Sequence, residues 1–300
     1  MKHLLPAAAL LVSGCVTPVA PQSQIAITID DLPVHGPYPS GETPIGVASA
    51  VISALKAERV EAYGFVNGYW TAKDPSTADV LRAWKAAALP LGNHGWAHRH
   101  LNELSGSDFE KELMTNDPLL RPLSTGDWRW FRYPFLDEGE SAEKRSASRE
   151  VLARHGYKVA AVTMDFSDWA WTGPYARCRD SRDDAAVKRL EDLYLQAARE
   201  SIGYYRQLSR TLYGRDIPFV LLLHISAFEA RMLPRLLKLY RDEGFGFVSL
   251  PEAEADPAYA DQINPRRPAE AQGLEKKASA AGPLPARANY QPILESICKG

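Results

Sequence analysis

The 300-residue chain has few cysteines, little net charge and no long apolar run. None of its three cysteines has the close spacing of a zinc knuckle. The formal net charge of −2 excludes a broad basic surface that could follow nucleic-acid phosphates, so we expect no nucleic-acid partner. No apolar run reaches the roughly 18 residues that a membrane-spanning helix needs. The 45% hydrophobic content is enough for a substantial core.

The N-terminus is typical of an export signal. Lys2 and His3 precede a short apolar stretch, residues 4–12, which runs into Val12-Ser13-Gly14-Cys15. This ending resembles a bacterial lipobox, in which Cys15 would carry the lipid. An ordinary signal peptide with a chance cysteine is the alternative, but small residues directly precede Cys15 and no A-x-A site does. We therefore predict export to the periplasm or cell envelope, with the membrane contacted only through a lipid anchor on Cys15.

Composition divides the chain into four parts. Residues 1–15 form the signal, residues 16–24 a short tether rich in Pro, Gln and Ser, and residues 25–256 a single catalytic-type domain. Residues 257–300 are rich in Pro and Ala, and we expect a loosely ordered tail whose residues 290–297 dock on the domain.

The remaining cysteines, Cys178 and Cys298, leave the question of a disulfide open. An oxidising compartment would permit one. Their large separation gives no positive sign of pairing.

Strand and helix patterns alternate along the domain. Strands are predicted at residues 25–29, 62–66, 130–133, 158–164, 218–223 and 245–250. Helices are predicted at residues 47–55, 78–88, 107–116 (capped by Ser107), 141–155, 184–212 and 230–243. This alternation indicates an α/β fold with a mostly parallel sheet, either barrel-like or doubly wound.

Polar residues follow several of these strands. Asp30 and Asp31 follow the first strand, Arg132 lies late in another, and Asp165 and His224 each follow a further strand. Active sites of parallel α/β folds gather beyond the carboxyl ends of the strands. We therefore expect these side chains to share one site.

Asp31, His94 and His98 form a candidate metal-binding set. His94 and His98 are four residues apart, and on a helical turn this spacing would place both imidazoles on one face. Two imidazoles and one carboxylate suit catalytic zinc with an open position, and they equally suit non-haem Fe(II). Asn93 and His100 are candidates for support rather than ligation.

Adjacent acids at a strand end can take different roles. With Asp31 assigned to the metal, Asp30 is free to act as the base that takes a proton from water. An alternative is that the pair only caps a turn or the next helix.

Five segments in order carry a family resemblance. They are Thr28-Ile29-Asp30-Asp31, His94-Gly95-Trp96-Ala97-His98, Arg132-Tyr133-Pro134-Phe135, Asp165-Phe166-Ser167-Asp168-Trp169 and Leu222-Leu223-His224. With these motifs the chain resembles the polysaccharide deacetylases with a NodB-like domain, carbohydrate esterase family 4, over about residues 24–254. The resemblance implies a distorted (β/α) barrel with fewer strands than a regular barrel.

The resemblance also implies roles for individual residues. It makes Asp31, His94 and His98 the ligands of a divalent metal, most simply Zn²⁺, with Co²⁺, Ni²⁺, Fe²⁺ or Mn²⁺ as alternatives. Asp30 is then the base, Arg132 the residue that orients it, His224 the general acid, and Asp165 the acid that tunes His224. The substrate-facing residues are the Phe135 N–H at the oxyanion, Trp169 at the groove wall and Leu222 at the acetyl methyl group.

Departures from the family pattern bear on the substrate. Leu32 and Pro33 stand where the family usually has Gly, Ile225 and Ser226 stand where an acid often follows the histidine, and residues 184–212 lengthen the stretch between the last two motifs. The expected function is metal-dependent N-deacetylation of an acetylated envelope or extracellular glycan. The alternatives are a same-site hydrolase of an O-acetyl ester or a non-sugar amide, and a non-catalytic glycan-binding lipoprotein.

Overall fold

A computed structural model describes residues 23–268 and 273–299 of the chain. The predicted signal peptide, Cys15 and most of the predicted tether lie outside the described residues. No helix in the two described ranges combines the length and hydrophobicity that crossing a bilayer requires.

The strands form one parallel sheet. They are β1 (Ser23–Leu32), β2 (Ala62–Val66), β3 (Leu91–Asn93), β4 (Trp130–Phe131), β5 (Lys158–Val159), β6 (Phe219–His224) and β7 (Phe245–Phe247). The strand order is β5-β4-β3-β2-β1-β6, and β7 pairs with the beginning of β1. Every pairing is parallel, so the carboxyl ends of the strands lie along one edge.

β1 is the central strand of the sheet. Ile25, Ala26, Ile27 and Ile29 are fully buried, as expected for a strand covered on both faces. The strand begins at Ser23, two residues before the predicted start, because Ser23 pairs with β7 and its hydroxyl donates to Asp216. The end of the predicted tether is therefore part of the sheet.

The sheet curls until the segment after β5 reaches β6. The N–H groups of Thr163 and Met164 both lie 3.0 Å from the carbonyl oxygen of Val220, and Leu222 N–H donates to the Met164 carbonyl at 3.0 Å. These contacts close the curled sheet with fewer strands than a regular barrel has. The predicted distorted (β/α) barrel is confirmed.

Helices surround the sheet. They are α1 (Pro44–Glu58), α2 (Gly68–Lys73), α3 (Ala78–Ala86), α4 (Gly106–Leu120), α5 (Ala142–Arg154), α6 (Thr172–Asp180), α7 (Asp184–Tyr213), α8 (Ala227–Asp242), α9 (Leu250–Ala253), α10 (Ala260–Ile263), α11 (Gly273–Ala281) and α12 (Gln291–Ser296). The predicted cap of α4 was wrong: the hydroxyl of Ser105, rather than that of Ser107, accepts the N–H of Asp108. The long amphipathic helix predicted between the last two motifs is α7.

The C-terminal segment is more ordered than its composition predicts. Tyr259, Leu274 and Leu294 are buried against the domain. A disulfide joins Cys178 in α6 to Cys298, a sequence separation of 120 residues. The guanidinium of Arg177 donates to the carbonyl oxygens at the end of α12, which confirms the predicted docking of residues 290–297.

Candidate active site

Polar side chains from two strand ends and three following loops meet at the carboxyl edge of the sheet. Asp30 in β1 is aligned with His224 in β6, so these two residues lie opposite each other on neighbouring strands. His94 follows β3 and Arg132 follows β4. Asp165 follows the Met164 bridge to β6. The predicted convergence of these residues is confirmed.

Asp31, His94 and His98 form a compact group of possible metal ligands. One ligand atom from each residue lies within 4.8 Å of the other two. The Nε2 atoms of His94 and His98 are 3.5 Å and 3.3 Å from Asp31 Oδ1. That oxygen is buried and has no hydrogen-bond partner among the described residues. A buried carboxylate oxygen facing two imidazole nitrogens fits a divalent cation, which would compensate the missing hydrogen bond.

The two histidines lie on a loop rather than on the helical turn considered from their spacing. Residues 94–100 contain no helix, and Gly95 and His98 both have positive φ angles, 72° and 52°. These left-handed conformations bend the chain so that the imidazole centroids are 4.9 Å apart. The two imidazoles thus lie close together as the spacing predicted, but on a loop rather than on a helical turn.

The state of the His94 ring suits a metal ligand. Its Nδ1 lies 2.8 Å from the carbonyl oxygen of Arg132, which can only accept, so Nδ1 carries the proton and Nε2 presents a lone pair. Burial lowers the pKa of both His94 and His98 to about 4. Both rings are thus neutral at physiological pH and available for ligation.

Amide side chains hold the histidine loop. Asn67 donates to the carbonyl oxygens of His94 and Gly95, and Asn116 donates to Asn93 Oδ1 at 2.9 Å. Asn93 in turn accepts the N–H of Gly95. The predicted supporting role of Asn93 is confirmed, while Asn67 and Asn116 were not predicted because isolated asparagines carry no pattern.

His100 supports the neighbouring loop. Its ring stacks on Phe135 with a centroid separation of 3.7 Å, and its Nδ1 lies 3.4 Å from a carboxylate oxygen of Asp137. It contributes no atom to the group of possible ligands. This agrees with support rather than ligation.

Arg132 holds the carboxylate of Asp30. One guanidinium nitrogen lies 3.2 Å from both carboxylate oxygens, and both side chains are buried. The remaining N–H groups of the guanidinium donate to the carbonyls of Ala160 and Ala161 and to the hydroxyl of Thr28. Burial raises the pKa of Asp30 to about 6, although the Arg132 charge opposes this rise. Burial therefore affects the pKa of this carboxylate more than the neighbouring guanidinium does.

The partner of His224 is Asp168, and the prediction that Asp165 pairs with it was wrong. Asp168 Oδ1 lies 2.8 Å from His224 Nδ1, and Asp168 Oδ2 accepts the His224 backbone N–H at 2.7 Å. Burial alone would lower the pKa of His224, but the charge and hydrogen bond of Asp168, together with the charges of Asp31 and Asp30, raise the pKa to about 10. The Asp165 carboxylate instead accepts the Ser167 N–H at 2.6 Å, because the positive φ of Ser167 turns the loop back on itself.

His35 is a site residue that lies outside all five sequence motifs. Its Nδ1 lies 2.7 Å from Asp31 Oδ2, and its ring centroid is 5.0 Å from that of His224. A single histidine four residues after the second acid has no diagnostic pattern.

These groups line a cavity of about 310 Å³. Its walls include Asp30, Asp31, His35, His94, His98, Phe135, Leu136, Asp165, Trp169, Leu222 and His224. Trp169 and Leu222, whose side chains were predicted to face the substrate, both lie in the cavity wall. Trp169 is half exposed, and Leu222 is buried. The nearby Trp171 does not line the cavity, because its side chain is fully buried in the core.

Solved structures share this fold. A family 4 carbohydrate esterase from Streptomyces lividans in complex with acetate has a TM-score of 0.51 at 21% identity, covering 78% of this chain and 97% of that one. A wild-type CE4 family pseudoenzyme from Bacillus anthracis has a TM-score of 0.55 at 15% identity, covering 78% and 66%. The Bc1960 peptidoglycan N-acetylglucosamine deacetylase has a TM-score of 0.50 at 16% identity, covering 77% and 87%. At these identities the likeness shows the fold alone.

The N-terminal half of the chain matches a known protein family in sequence. Residues 18–160 match the family model described as polysaccharide deacetylase. This region contains the first three motifs, including the candidate metal ligands, Asp30 and Arg132. The match and the shared fold both agree with the resemblance of this chain to the polysaccharide deacetylases of carbohydrate esterase family 4.

Proposed function

We propose that the chain is a metal-dependent hydrolase that removes N-acetyl groups from an envelope or extracellular polysaccharide. The observation that carries this proposal is the meeting of three functional groups in one cavity. These groups are the cluster of possible ligands around Asp31, the Asp30–Arg132 pair and the Asp168–His224 pair. A pure glycan-binding protein has no need for both a buried base and a charged imidazole beside a cation site.

Asp31 Oδ1 and the Nε2 atoms of His94 and His98 would hold the cation. Three protein ligands with a further position open to solvent are typical of catalytic zinc, so we propose Zn²⁺. Co²⁺, Ni²⁺, Fe²⁺ and Mn²⁺ accept the same ligand set. When bound, the cation supplies a Lewis acid that lowers the pKa of water and polarises the acetyl carbonyl group.

Asp30 would act as the general base. Its carboxylate takes a proton from the attacking water, and its pKa of about 6 places it closer to neutral pH than an ordinary aspartate. Arg132 holds both carboxylate oxygens, so the base keeps one orientation while it gains and loses the proton. The pair is buried, which limits competition from bulk water.

His224 would act as the general acid. Because Asp168 keeps it protonated at neutral pH, it can deliver a proton to the departing amine nitrogen. An amide needs this protonation more than an ester does, since an amine anion is a far poorer leaving group than an alkoxide. A protonated His224 therefore suits an N-acetyl substrate. The N–H of Phe135 at the cavity wall would donate to the developing oxyanion.

Three exposed apolar side chains, Phe135, Leu136 and Trp169, line the cavity. Among the described residues, the exposed large hydrophobic side chains are Ile45, Tyr69, Trp70, Phe135, Leu136, Trp169 and Leu284. Five of these follow β2, β4 or the Met164 bridge, on the same edge as the site. Flat apolar faces beside a polar cleft suit the C–H faces of sugar rings. This supports an acetylated glycan as the substrate.

The location of the protein is also a proposal. The lipobox-like sequence at Cys15 supports export with a lipid anchor. The Cys178–Cys298 disulfide supports the same conclusion, because disulfides persist in oxidising compartments such as the periplasm. An envelope location would bring the site to acetylated cell-wall or surface glycans.

Acetate release from a panel of substrates tests the proposal. The panel contains N-acetylated chitin oligosaccharides and peptidoglycan together with an O-acetylated xylan. Each is assayed with the zinc-loaded chain, with the chelated chain and with the Asp31→Ala variant. We expect acetate from an N-acetylated glycan, its loss on chelation and its return with zinc. Preferential release from xylan would overturn the N-acetyl assignment, and chelator-resistant release would overturn metal dependence.

A further inference from the structure

His35 lies beside the candidate metal site without belonging to its ligand group. Among the described residues, the atoms that can share a cation come from Asp31, His94 and His98. His35 instead contacts the outer oxygen of Asp31, with Nδ1 lying 2.7 Å from Oδ2. The side chain is largely buried at the cavity wall, with 19% of its surface exposed.

The two oxygens of Asp31 have separate partners. Oδ1 faces the Nε2 atoms of His94 and His98, while Oδ2 is occupied by His35. An ionised carboxylate can only accept hydrogen bonds, so Nδ1 of His35 is the donor. If the carboxylate rotated about its Cβ–Cγ bond, it would lose this bond and turn Oδ1 away from the imidazoles.

The backbone around His35 is fixed from two sides. Its N–H donates to the carbonyl oxygen of Ile225 at 3.1 Å, directly after the proposed general acid. The N–H of Val34 donates to the carbonyl oxygen of Asp31 at 2.9 Å, closing a tight turn. Asp31 itself has a positive φ of 64°, a conformation that non-glycine residues rarely adopt, so this turn aims the carboxylate.

We propose that His35 is a positioning residue that holds the Asp31 carboxylate with Oδ1 directed at the cation. This inference rests on the proposed metal site. Partners that hydrogen-bond to metal ligands fix the orientation of those ligands, and their loss typically weakens metal affinity about 10- to 100-fold. The residue lies in the loop where the chain departs from the usual family pattern, so this loop adds a support to the site.

Zinc affinity tests the proposal without relying on turnover. Zinc alone is titrated against a competing chelating dye for the full chain and for the His35→Leu and His35→Asn variants. Leucine removes the donor, whereas asparagine places an amide N–H near the position of Nδ1. We expect His35→Leu to weaken zinc binding about 10- to 100-fold, and His35→Asn to recover most of that loss. Thermal unfolding confirms that each variant is folded.

A matched control is available at His155. Its Nε2 lies 2.6 Å from Glu110 Oε1, and its side chain is 28% exposed, so it forms a similar histidine–carboxylate contact away from the candidate site. His155→Leu should leave zinc affinity unchanged. Equal weakening in both leucine variants would overturn a specific role for His35.

The Asp31→Ala variant separates the two proposals. If the unmodified chain and Asp31→Ala bind zinc alike, the proposed metal site itself is wrong. If zinc binding requires Asp31 but His35→Leu stays within threefold of the unmodified chain, the metal site stands and the role of His35 is refuted. A rise in KM for substrate with unchanged zinc affinity would also refute it, since that result assigns His35 to substrate contact.

Discussion

Asp168 contacts His224 through both of its carboxylate oxygens. One oxygen lies 2.8 Å from the ring Nδ1, and the other accepts the backbone N–H of the same residue at 2.7 Å. Asp168 is buried, so its charge acts on the imidazole with little screening from solvent. The ring is therefore held in one orientation with its Nε2 free to donate a proton.

This relationship sets the alkaline limit of activity. His224 must be protonated to act as the acid, so kcat/KM should fall as pH rises through about 10. In Asp168→Asn the largest interaction that opposes burial is lost, and only the charges of Asp31 and Asp30 still raise the pKa of His224. We expect the alkaline limb to move to lower pH, with activity at pH 8 to 9 reduced on the order of tenfold or more. Profiles of kcat/KM against pH that extend beyond pH 10, recorded for both proteins, measure the shift.

Asp165→Asn is the matched comparison for Asp168→Asn. Asp165 lies in the same cavity wall but makes no hydrogen bond to His224 among the described residues. Its replacement should leave the alkaline limb in place. Movement of the limb in Asp165→Asn but not in Asp168→Asn would show that the structure assigns the wrong partner.

Asp30→Asn tests the base. Loss of the carboxylate should reduce kcat/KM by about 10²- to 10⁴-fold, while zinc affinity changes little because Asp31 and both histidines remain. The unmodified chain should also lose activity as pH falls through about 6, since protonation removes the base. Residual activity in the variant should lack this acidic limb.

The control for this change is Asp127→Asn, which alters an aspartate paired with Arg129 outside the cavity. It should leave both activity and the acidic limb unchanged. Near-normal turnover by Asp30→Asn would mean that another group takes the proton from water.

Removal of the Cys178–Cys298 disulfide should destabilise the C-terminal segment. The bond closes a loop of about 120 residues, and such a cross-link stabilises by about 2–5 kcal/mol in the chain-entropy description. We expect a lower melting temperature and faster proteolysis after residue 284 in the Cys178→Ala, Cys298→Ala double variant. Reductant should lower the melting temperature of the unmodified chain alone. A further fall in the double variant would indicate that reductant acts elsewhere.

Trp70 should matter for long substrates. It is exposed on α2, whose neighbouring Tyr69 N–H donates to the carbonyl oxygen of Trp96 in the histidine loop at 3.0 Å. If Trp70 stacks on a sugar beyond the reacting one, Trp70→Ala should raise KM for an oligosaccharide roughly threefold to tenfold and leave a monosaccharide unaffected. Leu284→Ala, another exposed apolar side chain, is the control. Equal effects on both substrate lengths would argue against an extended contact.

The central strands and the main functional residues could be predicted because they follow strong local patterns. The continuous apolar run of β1 is typical of a central strand that is covered on both faces. The polar residues at the strand ends indicate which edge of the sheet carries the site. These patterns therefore predicted that the candidate metal ligands would lie in one site with Asp30 and Arg132. Their convergence depends on parallel strand direction, which the alternating pattern already implies.

Other features depend on loop geometry that residue types do not specify. Asp165 and Asp168 both belong to the fourth motif, and only the left-handed turn at Ser167 decides which of them reaches His224. The disulfide and the packed C-terminal segment depend on contacts between residues more than 100 positions apart. Composition indicated a loose tail there because it does not reveal the cysteine pairing or the buried face of α12.

The alignment of Asp30 with His224 determines how far a proton acceptor and a proton donor stand from each other. They occupy facing positions on adjacent parallel strands, whose backbones are about 4.8 Å apart. This span is therefore set by main-chain hydrogen bonding in the middle of the sheet. A slip of one residue between these strands would point one of the two side chains to the opposite face. Loops around the cavity can therefore change in length or sequence without changing the distance between Asp30 and His224. The choice of substrate can vary in this way while the acid and the base keep their positions.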